Sequence, residues 1–190
     1  MNKTPPPLSR SDFESAAPEL ARRLIGATVL IDGVGGLIVE TEAYDEADAA
    51  SHCHRGQTER NRAMFGPPGH AYIYRSYGIH WCLNFVCEQP GHGAGVLIRA
   101  LQPTHGLQRM RERRGLEDER LLCAGPGRLG QALGIGLQWY GLPLDQPPFV
   151  VLAPAADIDV VSGPRIGISR AQELPWRFGW AGSRYLSRRF

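Results

Sequence analysis

The sequence predicts a mixed α/β (α+β) fold: one compact domain with a largely antiparallel sheet, a protruding β-hairpin and peripheral helices. Three observations predict it. The chain has 190 residues, a size at which a single core is comfortable. Its short apolar segments follow one another across tight glycine-containing turns, as antiparallel neighbours do. Its 23 glycines and 15 prolines leave much of the length to loops. No internal repeat and no linker divides the chain, so residues 11–190 are expected to form one domain behind a flexible, proline-rich tail at 1–10.

Pro18 suits the first turn of a short helix that carries Leu20, Leu24 and Ile25 and stops at Gly26. Residues 27–31 read as a strand, and Asp32-Gly33 with Gly35-Gly36 turns the chain into a second strand over 37–42. Side chains alternate along a strand, so Ile38, Glu40, Glu42 and Tyr44 are expected in one row, with Val39 and Thr41 on the other face. Residues 45–70 are loop-like, with one helical turn near 60–65; long loops of this kind often carry function. A second strand pair, 71–76 and 79–87, flanks Tyr77-Gly78, and residues 95–101 form a further strand. Thr104 is placed to cap a helix running to Arg114. Residues 127–133 suit another helix, and strands at 149–152 and 165–168 complete the sheet.

Composition narrows the function classes. Hydrophobic content is 43%, ordinary for a globular domain, and no apolar run reaches the roughly 18 residues a membrane-spanning helix requires. The first residues lack an apolar signal core, so a cytoplasmic location is expected. Cys53, Cys82, Cys87 and Cys123 read as reduced thiols. Zinc is disfavoured: His52, Cys53 and His54 are adjacent rather than spaced as ligands, and Cys82 and Cys87 have opposite parity. Lysine occurs once, as Lys3, so Schiff-base chemistry has only that residue or the terminal amine to use. The other cations are arginines. Arg109, Arg111, Arg113 and Arg114 form a basic run that suits either a phosphate partner or a solvated helix face.

The richest stretch is Val39-Glu40-Thr41-Glu42-Ala43-Tyr44, which sets two carboxylates and a tyrosine on one strand face. Four of the six tyrosines, Tyr44, Tyr72, Tyr74 and Tyr77, fall between residues 44 and 77 together with His52. That density suits a slot for a flat base. Glu40-Thr41-Glu42-Ala43-Tyr44, Ser51-His52, Arg60-Asn61-Arg62-Ala63-Met64-Phe65, Tyr72-Ile73-Tyr74-Arg75-Ser76-Tyr77-Gly78, Leu83-Asn84 and Val96-Leu97-Ile98-Arg99 stand in a fixed order. Gly125-Pro126-Gly127-Arg128-Leu129-Gly130 and Arg165-Ile166-Gly167-Ile168 continue it. In these segments, over roughly residues 12–180, the chain resembles the alkyladenine, or 3-methyladenine, DNA glycosylase family of the mammalian type.

The resemblance implies a curved antiparallel sheet, a hairpin that enters the minor groove of double-stranded DNA, and removal of alkylated or deaminated purines without metal or cofactor; a DNA-gripping surface around one hairpin needs no dimer, so a monomer is expected. It assigns Tyr77 the role of filling the gap left by an extruded nucleotide, and Tyr44, His52 and Tyr74 the walls between which the base stacks. Glu42 becomes the general base, a choice the strand alone cannot make between it and Glu40. Arg99 is implied as its partner beside the water and phosphate, Asn84 as the group that disfavours guanine, and Leu97 and Ile166 as further lining. The chain departs from the family in carrying Arg75-Ser76 where apolar residues are common and in a shorter segment from Tyr44 to His52. The competing reading is a non-catalytic module that binds damaged DNA on the same fold.

Overall fold

The computed structural model describes residues 5–190 as a single α+β domain built on one curved, wholly antiparallel sheet of eight strands. In chain order the elements are α1 (Ala17–Arg23), β1 (Thr28–Ile31), β2 (Val34–Tyr44), β3 (Ala71–Ser76), β4 (His80–Val86), β5 (Gly95–His105), α2 (Leu107–Arg114), α3 (Glu119–Leu122), α4 (Pro126–Leu133), β6 (Phe149–Leu152), β7 (Val160–Gly163) and β8 (Arg177–Trp180). The strands run β3-β4-β5-β2-β1-β6, and β8 pairs with both β2 and β7. A short 3-10 turn at Arg62–Phe65 falls where the loop was expected to coil.

β2 is the central element. Its first residues pair with β1 through a turn at Asp32 (φ 49°) and Gly33 (φ 73°), the left-handed pair an Asp-Gly hairpin turn requires. Gly35 and Gly36 belong to the strand rather than to the turn. A Cβ on Gly36 would stand 1.9 Å from the Gln102 carbonyl oxygen, so the close approach of β5 admits only glycine there.

Two complementary bulges decide which side chains of β2 share a face. Ile38 pairs with Leu101, Glu40 with Ala100 and Thr41 with Ile98, so Val39 is the extra residue on β2 and Arg99 the extra residue on β5. The second insertion restores the register that the first displaced. Ile38 consequently joins Ala43 in the main core, and Thr41 on the same side bonds the Ala21 carbonyl of α1 at 2.8 Å. Val39 packs with Ala100 and Tyr185 on the other side. The simple alternation expected from sequence is corrected at those two positions, while Glu40, Glu42 and Tyr44 keep their common face. The bulge also swings Arg99 onto that face.

Other expectations shift for physical reasons. Residues 165–168 are not a strand: Gly167 has φ 77°, and the Ile166 N–H is spent on a side chain. The last strands are instead β7 and β8, which pair with each other. β5 runs on to His105, because β2 supplies it partners as far as Gly35, and the N-cap of α2 is Gly106 (φ 69°) rather than Thr104. Along α2 the arginines mostly cap neighbours: Arg113 donates to the Ala132 carbonyl at 3.0 Å, Arg114 to Leu122 at 3.1 Å and Arg109 to Asp32 at 3.3 Å. Of the expected tail, residues 1–4 lie outside the described residues, whereas Leu8 donates its N–H to Val151 of β6 at 2.8 Å. Among the described residues no helix is long and apolar enough to cross a membrane.

Candidate active site

The β3–β4 hairpin, the β2 and β5 residues on the glutamate face, the Ala50–His52 loop and the Ile166–Ile168 loop enclose a cleft of about 530 Å³. Tyr44, His52, Tyr74, Tyr77, Asn84, Leu97, Arg99 and Ile166 all line it. Eight of the nine residues expected at a site are therefore gathered from five separate segments. The ninth, Glu42, is 0% exposed and lies immediately behind this lining.

Three lining residues hold Glu42. The Tyr44 hydroxyl donates to its Oε2 at 2.8 Å, the Ile166 backbone N–H donates to its Oε1 at 2.7 Å, and Arg99 Nη1 stands 3.2 Å from Oε2. Glu40 has different company. Its Oε1 receives Arg99 Nε at 3.1 Å and Arg177 Nε at 2.8 Å, and Ser187 donates its N–H to Oε2 at 2.6 Å and its hydroxyl to Oε1 at 2.8 Å. Two carboxylates and two guanidiniums thus form a buried, charge-balanced quartet, the only condition under which such burial is tolerated. The two glutamates differ in their surroundings: the partners of Glu42 all line the cleft, while Arg177 and Ser187 tie Glu40 to the rest of the domain.

The aromatic wall is built across β3 and the loop before it. The Tyr72 and Tyr74 rings stack at 5.7 Å with 25° between planes, although two residues of one strand share a face at that spacing in any case. The His52 ring stands edge-on to Tyr74 at 4.5 Å and its Nδ1 is 3.1 Å from the Tyr72 hydroxyl. Partial burial, reinforced by the Arg60 guanidinium, lowers the His52 pKa and so favours the neutral imidazole. Burial raises the Tyr44 phenol well above its ordinary range, and the Glu42 carboxylate adds to the effect. Tyr44 therefore remains a hydrogen-bond donor at any physiological pH. Asn84, paired with Tyr72 across the hairpin, donates its Nδ2 to the Tyr72 carbonyl at 3.2 Å.

Several supporting residues were not expected. Tyr72 anchors His52 and lines the cleft itself; the tyrosine density marked it, but its parity alone gave it no separate role. Arg165 is buried between the rings of Tyr44 (4.8 Å) and Trp176 (5.4 Å), and its guanidinium forms a two-pronged pair with Asp48. It also donates to the Ala43 carbonyl at 2.9 Å. One residue thus fixes the back of Tyr44 and the loop whose next N–H reaches Glu42. A further polar knot, His92 with Asp45 at 2.6 Å and Glu88 at 3.4 Å, pins the start of the 45–52 loop, and the bond to Asp45 raises the His92 pKa.

The cysteines follow their parity. Cys82 lines the cleft, Cys87 lies in the main core, and all four thiols are free and buried. At the tip of the hairpin, Tyr77 is 88% exposed and adopts φ 49°, next to Ile79 at 67% exposure. A non-glycine residue in the left-handed region costs on the order of 1 kcal/mol, and a large ring held out in water gains nothing from the fold.

A slot of this shape, with a buried carboxylate and guanidinium at its back, suits a flat base and a hydrolytic step. The comparisons with known proteins specify the family. The profile of Methylpurine-DNA glycosylase matches residues 11–184, and the chain belongs to that family. It is 64% identical over 179 residues to a protein of Nitrosospira multiformis, covering 94% of this chain and 93% of the relative. It is 61% identical over 184 residues to one of Nitrobacter winogradskyi, covering 97% and 88%. Both relatives carry the name of a 3-methyladenine DNA glycosylase as an inferred activity.

Proposed function

We propose that the protein is a monofunctional, metal-independent DNA glycosylase that acts as a monomer in the cytoplasm, extruding alkylated or deaminated purines from duplex DNA and hydrolysing their N-glycosidic bond. Its substrates are 3-methyladenine, 7-methylguanine, hypoxanthine and ethenoadenine. The observation that carries this reading is the carboxylate of Glu42, held by Tyr44, Arg99 and Ile166, each of which lines the aromatic cleft.

A purine in the stack hides its glycosidic bond, so the nucleotide must leave the helix and the gap must be propped. Tyr77, exposed and strained at the hairpin tip, is the prop. The extruded base stacks among Tyr44, His52 and Tyr74, an interaction worth about 1 to 3 kcal/mol per base. Cationic lesions gain more from the electron-rich rings, and Asn84 opposes the exocyclic amine of guanine. Water attacks C1′ as the base departs with the bonding electron pair, leaving neutral from a cationic lesion and taking up a proton from solvent when the lesion is hypoxanthine or ethenoadenine. The water's proton passes to Glu42, and the sugar keeps the hydroxyl. The ionised Glu42 also stabilises the positive charge that develops on the sugar. The sole lysine, Lys3, lies outside the described residues and is given no part. The product is an abasic site in an intact strand.

The test incubates the protein with duplexes carrying one hypoxanthine or one ethenoadenine, and with methylated DNA, in chelator. Free base released from an uncut strand is the expected result. Strand scission by elimination, or dependence on added metal, contradicts the mechanism, and binding without release favours the non-catalytic module. Tyr77→Ala is expected to weaken lesion-duplex binding at least tenfold while leaving the melting temperature within about 2 °C, in line with an exposed site. Unchanged affinity removes Tyr77 from the gap.

A further inference from the structure

The family match stops at residue 184, yet the segment beyond it is tied to the domain by one buried side chain and several hydrogen bonds. Tyr185 is buried and donates its hydroxyl to Glu119 at 2.8 Å. Ser187 places two hydrogen bonds on Glu40, and Arg177 Nη2 donates to the Arg188 carbonyl at 2.5 Å. The ring of Phe190 lies 3.9 Å from the Arg177 guanidinium and fills the space above Gly179, where a Cβ would come within 2.3 Å of it.

This pinned backbone presents the Arg188 side chain to the cleft. The other arginines of the lining are engaged. Arg99 is divided between Glu40 and Glu42, Arg60 donates to the Arg75 carbonyl, and Arg75 lies over the Trp81 ring. Arg188 forms no ion pair with any carboxylate among the described residues, and it is exposed. A free guanidinium on a fixed backbone, at the edge of a slot for an extruded nucleotide, is arranged for one anion: the phosphate that enters with the sugar.

We propose that Arg188 binds a backbone phosphate of the strand carrying the extruded nucleotide, positioned for it by Glu40 through Ser187. The inference rests on the glycosylase reading and deepens it. One buried carboxylate thereby sets two arginines: Arg99 on the Glu42 carboxylate, and Arg188 on the strand.

The experiment measures binding of a lesion duplex across a salt series for the full chain, Arg188→Ala and Arg188→Lys. Each neutralised phosphate contributes a slope of about −0.9 in log K against log salt, so Arg188→Ala is expected to lose about eightfold less affinity than the parent over a tenfold rise in salt. Arg188→Lys keeps the parent slope. A neutral methylphosphonate placed in turn at each phosphate flanking the lesion is expected to cost the parent affinity at one position where Arg188→Ala is indifferent. An unchanged slope for Arg188→Ala, or equal methylphosphonate costs at every position, overturns the proposal. The two readings fail separately: base release by the parent with an unaltered slope in Arg188→Ala sinks only the phosphate contact. A reduced slope in Arg188→Ala, with a parent that releases no base, sinks only the hydrolysis.

Discussion

Glu42→Gln is expected to lower the single-turnover rate of base release by about 100- to 10,000-fold, the range a positioned general base supplies, while lesion binding stays within a few-fold of the parent. Glutamine keeps the shape of the side chain and still offers an acceptor to Tyr44 or to the Ile166 N–H, so the walls of the cleft stand. What disappears is the negative charge and the proton acceptor. The charge matters twice, for it both activates water and opposes the positive sugar. Single-turnover assays with a gel-shift titration distinguish the outcomes. A rate within a factor of a few of the parent removes Glu42 from the chemistry. Loss of binding together with rate would instead make it a scaffold residue.

Glu40→Ala is expected to show the opposite signature, a large loss of stability. Removing that carboxylate leaves Arg177 in the interior without a carboxylate, leaves Arg99 with Glu42 alone and releases Ser187. Breaking a buried pair in this way costs about 3 to 5 kcal/mol, since the remaining charge is left unsolvated. For a chain of this length each kcal/mol moves the melting temperature by about 2 to 4 °C. Thermal unfolding followed by circular dichroism should therefore fall by roughly 6 to 20 °C. A melting temperature within 2 °C of the parent would mean that the quartet contributes nothing to the fold. The two glutamates, adjacent in one row of the same strand, are thus predicted to divide the work: one carries the reaction and the other holds the strands and the 184–190 segment together.

Strand parity alone could not draw that distinction. Parity put Glu40 and Glu42 on one face, and both do lie there, but equal parity means equal standing until the neighbours are known. Ile38 was expected in the same row and is not, because Val39 and Arg99 are paired bulge residues on opposite strands. A bulge is a relation between two strands, and neither strand announces it alone. The loop residues show the same limit. Asp48 and Arg165 are 117 positions apart, and their pair behind Tyr44 depends on two loops meeting over the end of β2. Arg165-Ile166-Gly167-Ile168 looked like a short strand because its apolar residues alternate. Its backbone is instead committed to Glu42 and its arginine to Asp48.

The sequence by itself determined the segments that became β1 to β6, the hairpin with a tyrosine at its tip, the carboxylate row and the aromatic residues near it. These follow from local rules: side-chain alternation, turn chemistry and the uncommon density of tyrosine over 44–77. Only the tertiary structure decided which glutamate belongs to the cleft, how Arg99 is divided between the two acids, and that Ser187 and Arg188 belong beside them. Those outcomes rest on desolvation and on hydrogen bonds between segments distant in the chain. Their strength is set by burial and geometry that exist only once the sheet has closed around them.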